Sequence, residues 1–171
     1  VILAKNGYQV TVLEQGQQIG GCLQCFSRYG AKYETGMHFI GSVVPGQTLR
    51  KLMNYLELTA DVPLSFLDQS GYDVVALQGE QFRFANGREP FIETMSSYFP
   101  RQRDALARYF DLVSRVAGAS SLHSLKYAES DAAINTEFQL RAINDVLDEL
   151  FDDELLKRVL VGNLPLYAAE Q

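Results

Sequence analysis

The chain has 171 residues, a hydrophobic fraction of 47% and a formal net charge of −6, which is the composition of a globular protein with a real core. This acidic balance provides no basic surface for nucleic-acid phosphates, so nucleic acid is not an expected partner. No apolar run reaches the roughly 20 residues that span a bilayer, and residues 1–13 lack the basic leader of a signal peptide. We therefore expect a cytoplasmic protein without a transmembrane segment, and peripheral membrane contact stays open.

Residues 1–14 have the pattern of the second half of a dinucleotide-binding βαβ unit. They predict the end of a helix, a left-handed stop at Gly7, and a strand in the β-branched run Val10–Leu13. Glu14 follows at the end of that strand, where such units place the acid that binds the ribose of an adenine dinucleotide, about 20 residues after a glycine-rich phosphate loop. Counting back puts that loop before Val1, which predicts a fragment of a larger enzyme. A lone acid at a strand end is more often an ordinary solvated acid, and the ribose role of Glu14 depends on the helix-Gly-strand pattern before it and the Gly-Gly pair after it.

From Pro45 onward the predicted elements are a helix, a small antiparallel sheet and then further helices. Apolar residues from Leu49 to Leu58 recur at helical spacing, and a tight turn at Gln78–Glu80 is expected between two strands. The strands are Tyr72–Leu77 and Gln81–Ala85, and helical apolar stripes follow in residues 101–117 and 138–151 with a flexible break at Gly118–Ser121. The aromatic side chains of residues 82–110 predict a core or, alternatively, the lining of an apolar tunnel.

Two motifs after Glu14 narrow the class of protein. The pair Gly20-Gly21 is followed by Tyr-Glu-Thr-Gly-Met-His-Phe-Ile-Gly at residues 33–41. This order resembles the FAD-binding amino-terminal region of the flavoprotein superfamily that contains amine oxidases and carotenoid desaturases. The 33–41 segment is most similar to the retinol saturase and carotenoid isomerase branch. The resemblance covers residues 1–60 through these motifs, and later residues only through the order of their elements.

The resemblance implies FAD as the cofactor and assigns the adenosine end of it to particular residues. Glu14 would bind the adenosine ribose, and Gly20 and Gly21 would let the backbone approach the diphosphate and ribityl chain. Related enzymes often have a basic residue after the paired glycines, and this chain has Cys22 there instead.

The same resemblance assigns the flavin end to the 33–41 segment. Glu34 and Gly36 would run beside the flavin, and His38 would lie near its reactive face. A histidine there titrates in the range that suits proton transfer, so His38 is the catalytic candidate. The alternative is a packing residue, because its neighbours are apolar.

Cys22 and Cys25 form a C-x-x-C motif with three alternative interpretations. A structural zinc site needs two more ligands, and the two histidines of the chain have no zinc-finger spacing, so no metal is expected. A reactive dithiol needs its first cysteine at a helix amino terminus, whereas residues 26–30 predict a strand and a turn. The favoured interpretation is two small residues that pack near a cofactor.

We therefore predict an α/β to α+β chain with two parts. Residues 1–60 would be a partial Rossmann-like FAD-binding domain, and residues 61–171 a partial substrate-binding domain with a small sheet followed by helices. The full-length parent would be an FAD-dependent oxidoreductase acting on carbon–carbon bonds of an apolar, polyene-like substrate, with this chain alone inactive. The alternatives are a non-catalytic helical interaction module with a vestigial nucleotide fold, and a small dithiol redox protein. The sequence does not define the oligomeric state.

Overall fold

The computed structural model describes residues 1–36, 39–125 and 132–163. The chain divides into two compact units, residues 1–63 and 64–171. Within the described ranges, no helix combines the length and apolar character that crossing a membrane requires.

The first unit begins with helix α1 (Ile2–Lys5), which ends at Gly7 as predicted. Gly7 has a φ of 85°. Its N–H donates to Ala4 O at 3.0 Å, and the next N–H, from Tyr8, reaches back to Leu3 O at 3.1 Å. This pair of bonds is the Schellman arrangement, in which a left-handed glycine satisfies the last carbonyls of a helix.

The predicted strand Val10–Leu13 is not formed in the structure, and this prediction was wrong. Residues 8–15 have no regular secondary structure. A strand is stabilised by hydrogen bonds to a neighbouring strand, and none of the strands in the described residues pairs with this run. Leu13 is consequently 91% exposed.

A β-hairpin and a helix complete the first unit. Strands β1 (Cys25–Arg28) and β2 (Ala31–Glu34) pair antiparallel through the two-residue turn Tyr29-Gly30. Both turn residues have positive φ, 53° and 77°, as a type I′ turn requires. Helix α2 (Thr48–Tyr55) confirms the helical spacing of this region, although it ends before Leu58.

The second unit opens with the predicted small sheet. Strands β3 (Asp73–Leu77) and β4 (Glu80–Phe84) are joined by Gln78-Gly79, again with two positive φ angles, 56° and 85°. The helices that follow are α3 (Arg88–Tyr98), α4 (Arg103–Gly118), α5 (Ser121–Ser124), α6 (Ala132–Leu140), α7 (Ile143–Leu150) and α8 (Glu154–Leu160). The sheet-then-helices order is as predicted.

The stripe predicted across residues 138–151 belongs to two helices and not to one. Helix α6 ends at Leu140, and α7 begins at Ile143 after Ala142, whose ψ of 138° is extended. Arg141 lies at the break, where its guanidinium forms ion pairs with Glu137 and Glu149. Helix α6 buries no residue and Leu140 is 85% exposed, whereas α7 buries Val146 and Leu147.

Aromatic side chains form the core of the second unit. Phe82, Phe84, Phe91 and Phe99 are each at most 7% exposed and belong to one buried cluster with residues of α3, α4, α7 and α8. Phe82 stacks on Phe99 with ring centroids 5.6 Å apart. The core interpretation of these four residues is therefore confirmed. The predicted flexible break coincides with the boundary between α4 and α5.

Candidate cofactor-binding site

The paired glycines form a tight turn that only glycine adopts easily. Gly20 and Gly21 have φ angles of 128° and 53°. The turn continues into one turn of 3₁₀ helix, where Leu23 N–H donates to Gly20 O at 2.9 Å and Gln24 N–H to Gly21 O at 3.2 Å. A Cβ built on Gly21 would meet no atom within 4 Å. The backbone at Gly21 is thus open to approach by a ligand.

Thr35 joins this turn to the second predicted segment. Its hydroxyl lies 2.8 Å from Cys22 O and 2.7 Å from Gln24 O, and its backbone N–H donates to Gln24 O at 3.2 Å. A Cβ built on Gly36, the next residue, would lie 3.8 Å from Cys22 O. The structure therefore brings the Gly20–Gly21 turn next to the Glu34–Gly36 segment.

Glu34 is held by a cysteine across the hairpin. Cys25 and Glu34 are directly paired in the β1–β2 register, and the Cys25 thiol donates to Glu34 Oε2 over 3.0 Å. This hydrogen bond, with smaller contributions from burial and from the charge of Glu34, raises the pKa of the Cys25 thiol. A raised pKa disfavours the thiolate that redox or metal chemistry needs. Cys22 is exposed and Cys25 half-buried, both as free thiols.

Glu14 lies in the same unit with an exposed carboxylate. Its Oε1 accepts a hydrogen bond from Gly16 N–H at 2.7 Å. Farther along, the side-chain amide of Gln24 donates to Gln18 O. This second bond ties the segment after Glu14 to the turn that contains Gly20 and Gly21.

His38, the catalytic candidate, lies outside the described residues. Its proposed position beside a flavin stays a prediction. Within the described parts of the chain, no group of three or more His, Cys, Asp and Glu side chains is arranged to hold a metal ion.

Sequence reasoning missed Thr35 and the Cys25–Glu34 pair. The Cys25–Glu34 pair had a usable signal, because a two-residue turn at Tyr29-Gly30 fixes the register that places Cys25 opposite Glu34. No sequence signal identified Thr35, because its partners are main-chain carbonyls whose direction depends on the Gly20–Gly21 turn.

Comparison with known proteins defines the class first. Residues 1–56 match the family described as NAD(P)-binding Rossmann-like domain. The chain thus carries a dinucleotide-binding sequence, which calls for a flavin or nicotinamide cofactor. The Val10–Leu13 run falls inside this match, although it pairs with no strand among the described residues.

The relatives are all-trans-retinol 13,14-reductases. The Rattus norvegicus protein is 32% identical over 133 residues, which is 74% of this chain and 21% of that protein. The Homo sapiens protein is 31% identical over 130 residues, 72% of this chain and 20% of that protein. A Danio rerio protein is 26% identical and covers 94% of this chain and 29% of its own length. No solved structure matches.

This chain is therefore homologous to the all-trans-retinol 13,14-reductases over about 70% of its length. It spans about a fifth of the length of the first two of these relatives. The homology confirms the predicted resemblance to the retinol saturase branch.

Proposed function

We propose that the protein is an FAD-dependent oxidoreductase that acts on a carbon–carbon bond of an apolar, polyene-like substrate. The observation that carries the proposal is the hydrogen-bonded junction of the Gly20–Gly21 turn with the Glu34–Gly36 segment, in a chain homologous to proteins named as retinol reductases. The order of these two segments resembles the FAD-binding region of flavoproteins, which favours FAD over a nicotinamide cofactor.

The described residues fit one end of such a cofactor. The backbone of Gly21 has open space beside it, so it can admit a diphosphate or ribityl chain without a clash. Glu14 presents an exposed carboxylate that can accept hydrogen bonds from ribose hydroxyls. The Glu14 carboxylate already accepts a hydrogen bond from the Gly16 N–H, and its remaining lone pairs can accept the ribose hydroxyls as well.

The flavin end would be held by the Glu34–Gly36 segment. Glu34 accepts a hydrogen bond from the Cys25 thiol, which favours one orientation of its carboxylate. When bound, FAD supplies the hydride-transfer chemistry, and the protein places the cofactor and sets its surroundings. The work assigned to this chain is therefore binding and orientation.

The substrate class is proposed from homology. The relatives are named for reduction of all-trans-retinol, and we extend the apolar polyene class to this protein. The aromatic residues of the second unit add no support, because Phe82, Phe84, Phe91 and Phe99 pack into its core.

The test is to purify the product of the full reading frame and record its absorption spectrum. Flavin bands in the near-ultraviolet and blue, with FAD identified by mass after heat release, are the expected result. Nicotinamide or no cofactor would contradict the FAD assignment. One relative is named as an inactive reductase, so turnover of all-trans-retinol with reduced enzyme must be assayed separately from cofactor content. Bound FAD without turnover would reject all-trans-retinol as the substrate and leave the cofactor assignment standing.

A further inference from the structure

We infer that Thr35 is a positioning residue, which holds the Gly20–Gly21 turn in the geometry that admits the dinucleotide. The inference rests on the proposed FAD site. The Thr35 hydroxyl is within hydrogen-bonding distance of two carbonyl oxygens of the turn region, 2.8 Å from Cys22 O and 2.7 Å from Gln24 O. Those carbonyls come from residues 13 and 11 positions earlier, so the contact is tertiary.

The contact with Cys22 O is the one that the hydroxyl alone supplies. Gln24 O also accepts the Thr35 backbone N–H, which any residue but proline would provide. Cys22 directly follows the two glycines and lies inside the 3₁₀ turn. A hydroxyl that holds the Cys22 carbonyl therefore limits rotation of the peptide groups next to Gly21.

The two glycines raise the entropic cost of fixing this turn, which an anchoring hydrogen bond offsets. Gly20 and Gly21 have more accessible backbone conformations than other residues, so a turn built on them loses more entropy when it is fixed. At its other end, the turn region is tied through Gln24 to Gln18 O. Thr35 follows the strand that carries Glu34. Its hydroxyl therefore connects the Glu34–Gly36 segment to the Gly20–Gly21 turn.

The test compares FAD affinity in Thr35→Val and Thr35→Ser variants of the protein made from the full reading frame. Val keeps the branched shape and the backbone N–H but removes the hydroxyl, whereas Ser keeps the hydroxyl. We expect FAD affinity to fall roughly threefold to tenfold in the Val variant, the effect of one net hydrogen bond. The Ser variant should bind FAD as the wild type does. The visible absorption and circular dichroism of the bound flavin should change in the Val variant only.

A matched control is Thr59→Val. The Thr59 hydroxyl is also hydrogen-bonded within the first unit, to Asn54 Oδ1 at 2.6 Å, but it lies after α2 and not at the turn. Its removal should leave FAD affinity and the flavin spectrum unchanged. Equal losses in the two Val variants would show a general stability effect and overturn the positioning role, as would equal losses in Thr35→Val and Thr35→Ser.

Amide hydrogen exchange of residues 20–24 without FAD tests the anchor separately from the cofactor. Exchange at Leu23 and Gln24, whose N–H groups close the turn, should be faster in Thr35→Val than in the wild type. Unchanged exchange would overturn the inference even if the protein binds FAD. A wild-type protein without FAD affinity would reject the proposed function, and with it the cofactor-positioning role, whatever exchange shows about the anchor.

Discussion

Substitution of Phe82 by Leu tests whether the aromatic residues of the second unit are a core and not a substrate lining. Phe82 is 4% exposed. Its ring contacts Tyr98 edge-on with centroids 5.2 Å apart and stacks on Phe99 at 5.6 Å. Each aromatic pair contributes about 0.5–1.5 kcal/mol beyond its buried area, so losing both should lower the free energy of unfolding by about 1–3 kcal/mol. Leu retains most of the apolar volume, so the variant should still fold.

Urea-induced unfolding followed by far-ultraviolet circular dichroism measures this loss, because the signal comes mainly from the helices of the second unit. The matched control is Phe66→Leu, the same change at a side chain that is 69% exposed, which should stay within about 0.5 kcal/mol of wild type. An unchanged m-value would confirm that stability, and not compactness, had changed. If the two variants had equal midpoints of unfolding, the core argument would be refuted.

Three further predictions concern the candidate site and the start of helix α8. Glu14→Ala should weaken FAD binding by roughly 1–3 kcal/mol, measured by calorimetry on the product of the full reading frame, whereas the exposed carboxylate Glu93 on α3 can be changed to Gln without loss. Alkylation followed by mass spectrometry should label Cys22 before Cys25. Labelling of Cys25 should rise only at more alkaline pH, because the hydrogen bond to the Glu34 carboxylate raises the pKa of the Cys25 thiol. Labelling of both cysteines at the same rate at neutral pH would contradict this. Asp153→Ala should lower the free energy of unfolding by about 1 kcal/mol, because its Oδ1 accepts two main-chain N–H groups at the start of α8, each at 3.0 Å. Asp153→Asn keeps the acceptor and should be nearly neutral. Equal losses of stability in the two variants would reject the capping role.

Local rules predicted those elements whose conformation depends on a few neighbouring residues. Gly7 ends α1 because only a left-handed residue allows both capping bonds. Gln78-Gly79 joins β3 to β4 because a two-residue hairpin turn of this type needs positive φ at both positions. In these cases the determining interactions lie within a few residues of each other along the chain.

The same rules failed where the determining partner is distant. The Val10–Leu13 run has strand-forming residues, but strand formation depends on a neighbouring strand, and the described residues provide none for it. The break between α6 and α7 depends on the extended backbone of Ala142 and on the ion pairs of Arg141. Neither dependence is visible in the spacing of apolar residues.

The candidate site divides in the same way. The motifs around Gly20-Gly21 and Glu34 could be identified from residue types and order alone, and the structure places these two segments together. What joins them is one hydroxyl and two carbonyls that become neighbours only after the glycine turn has formed. The Cys25 thiol likewise donates a hydrogen bond to the Glu34 carboxylate. The second cysteine of the C-x-x-C motif therefore has a structural partner, and a redox role for Cys25 would require it to give up a hydrogen bond that raises its pKa.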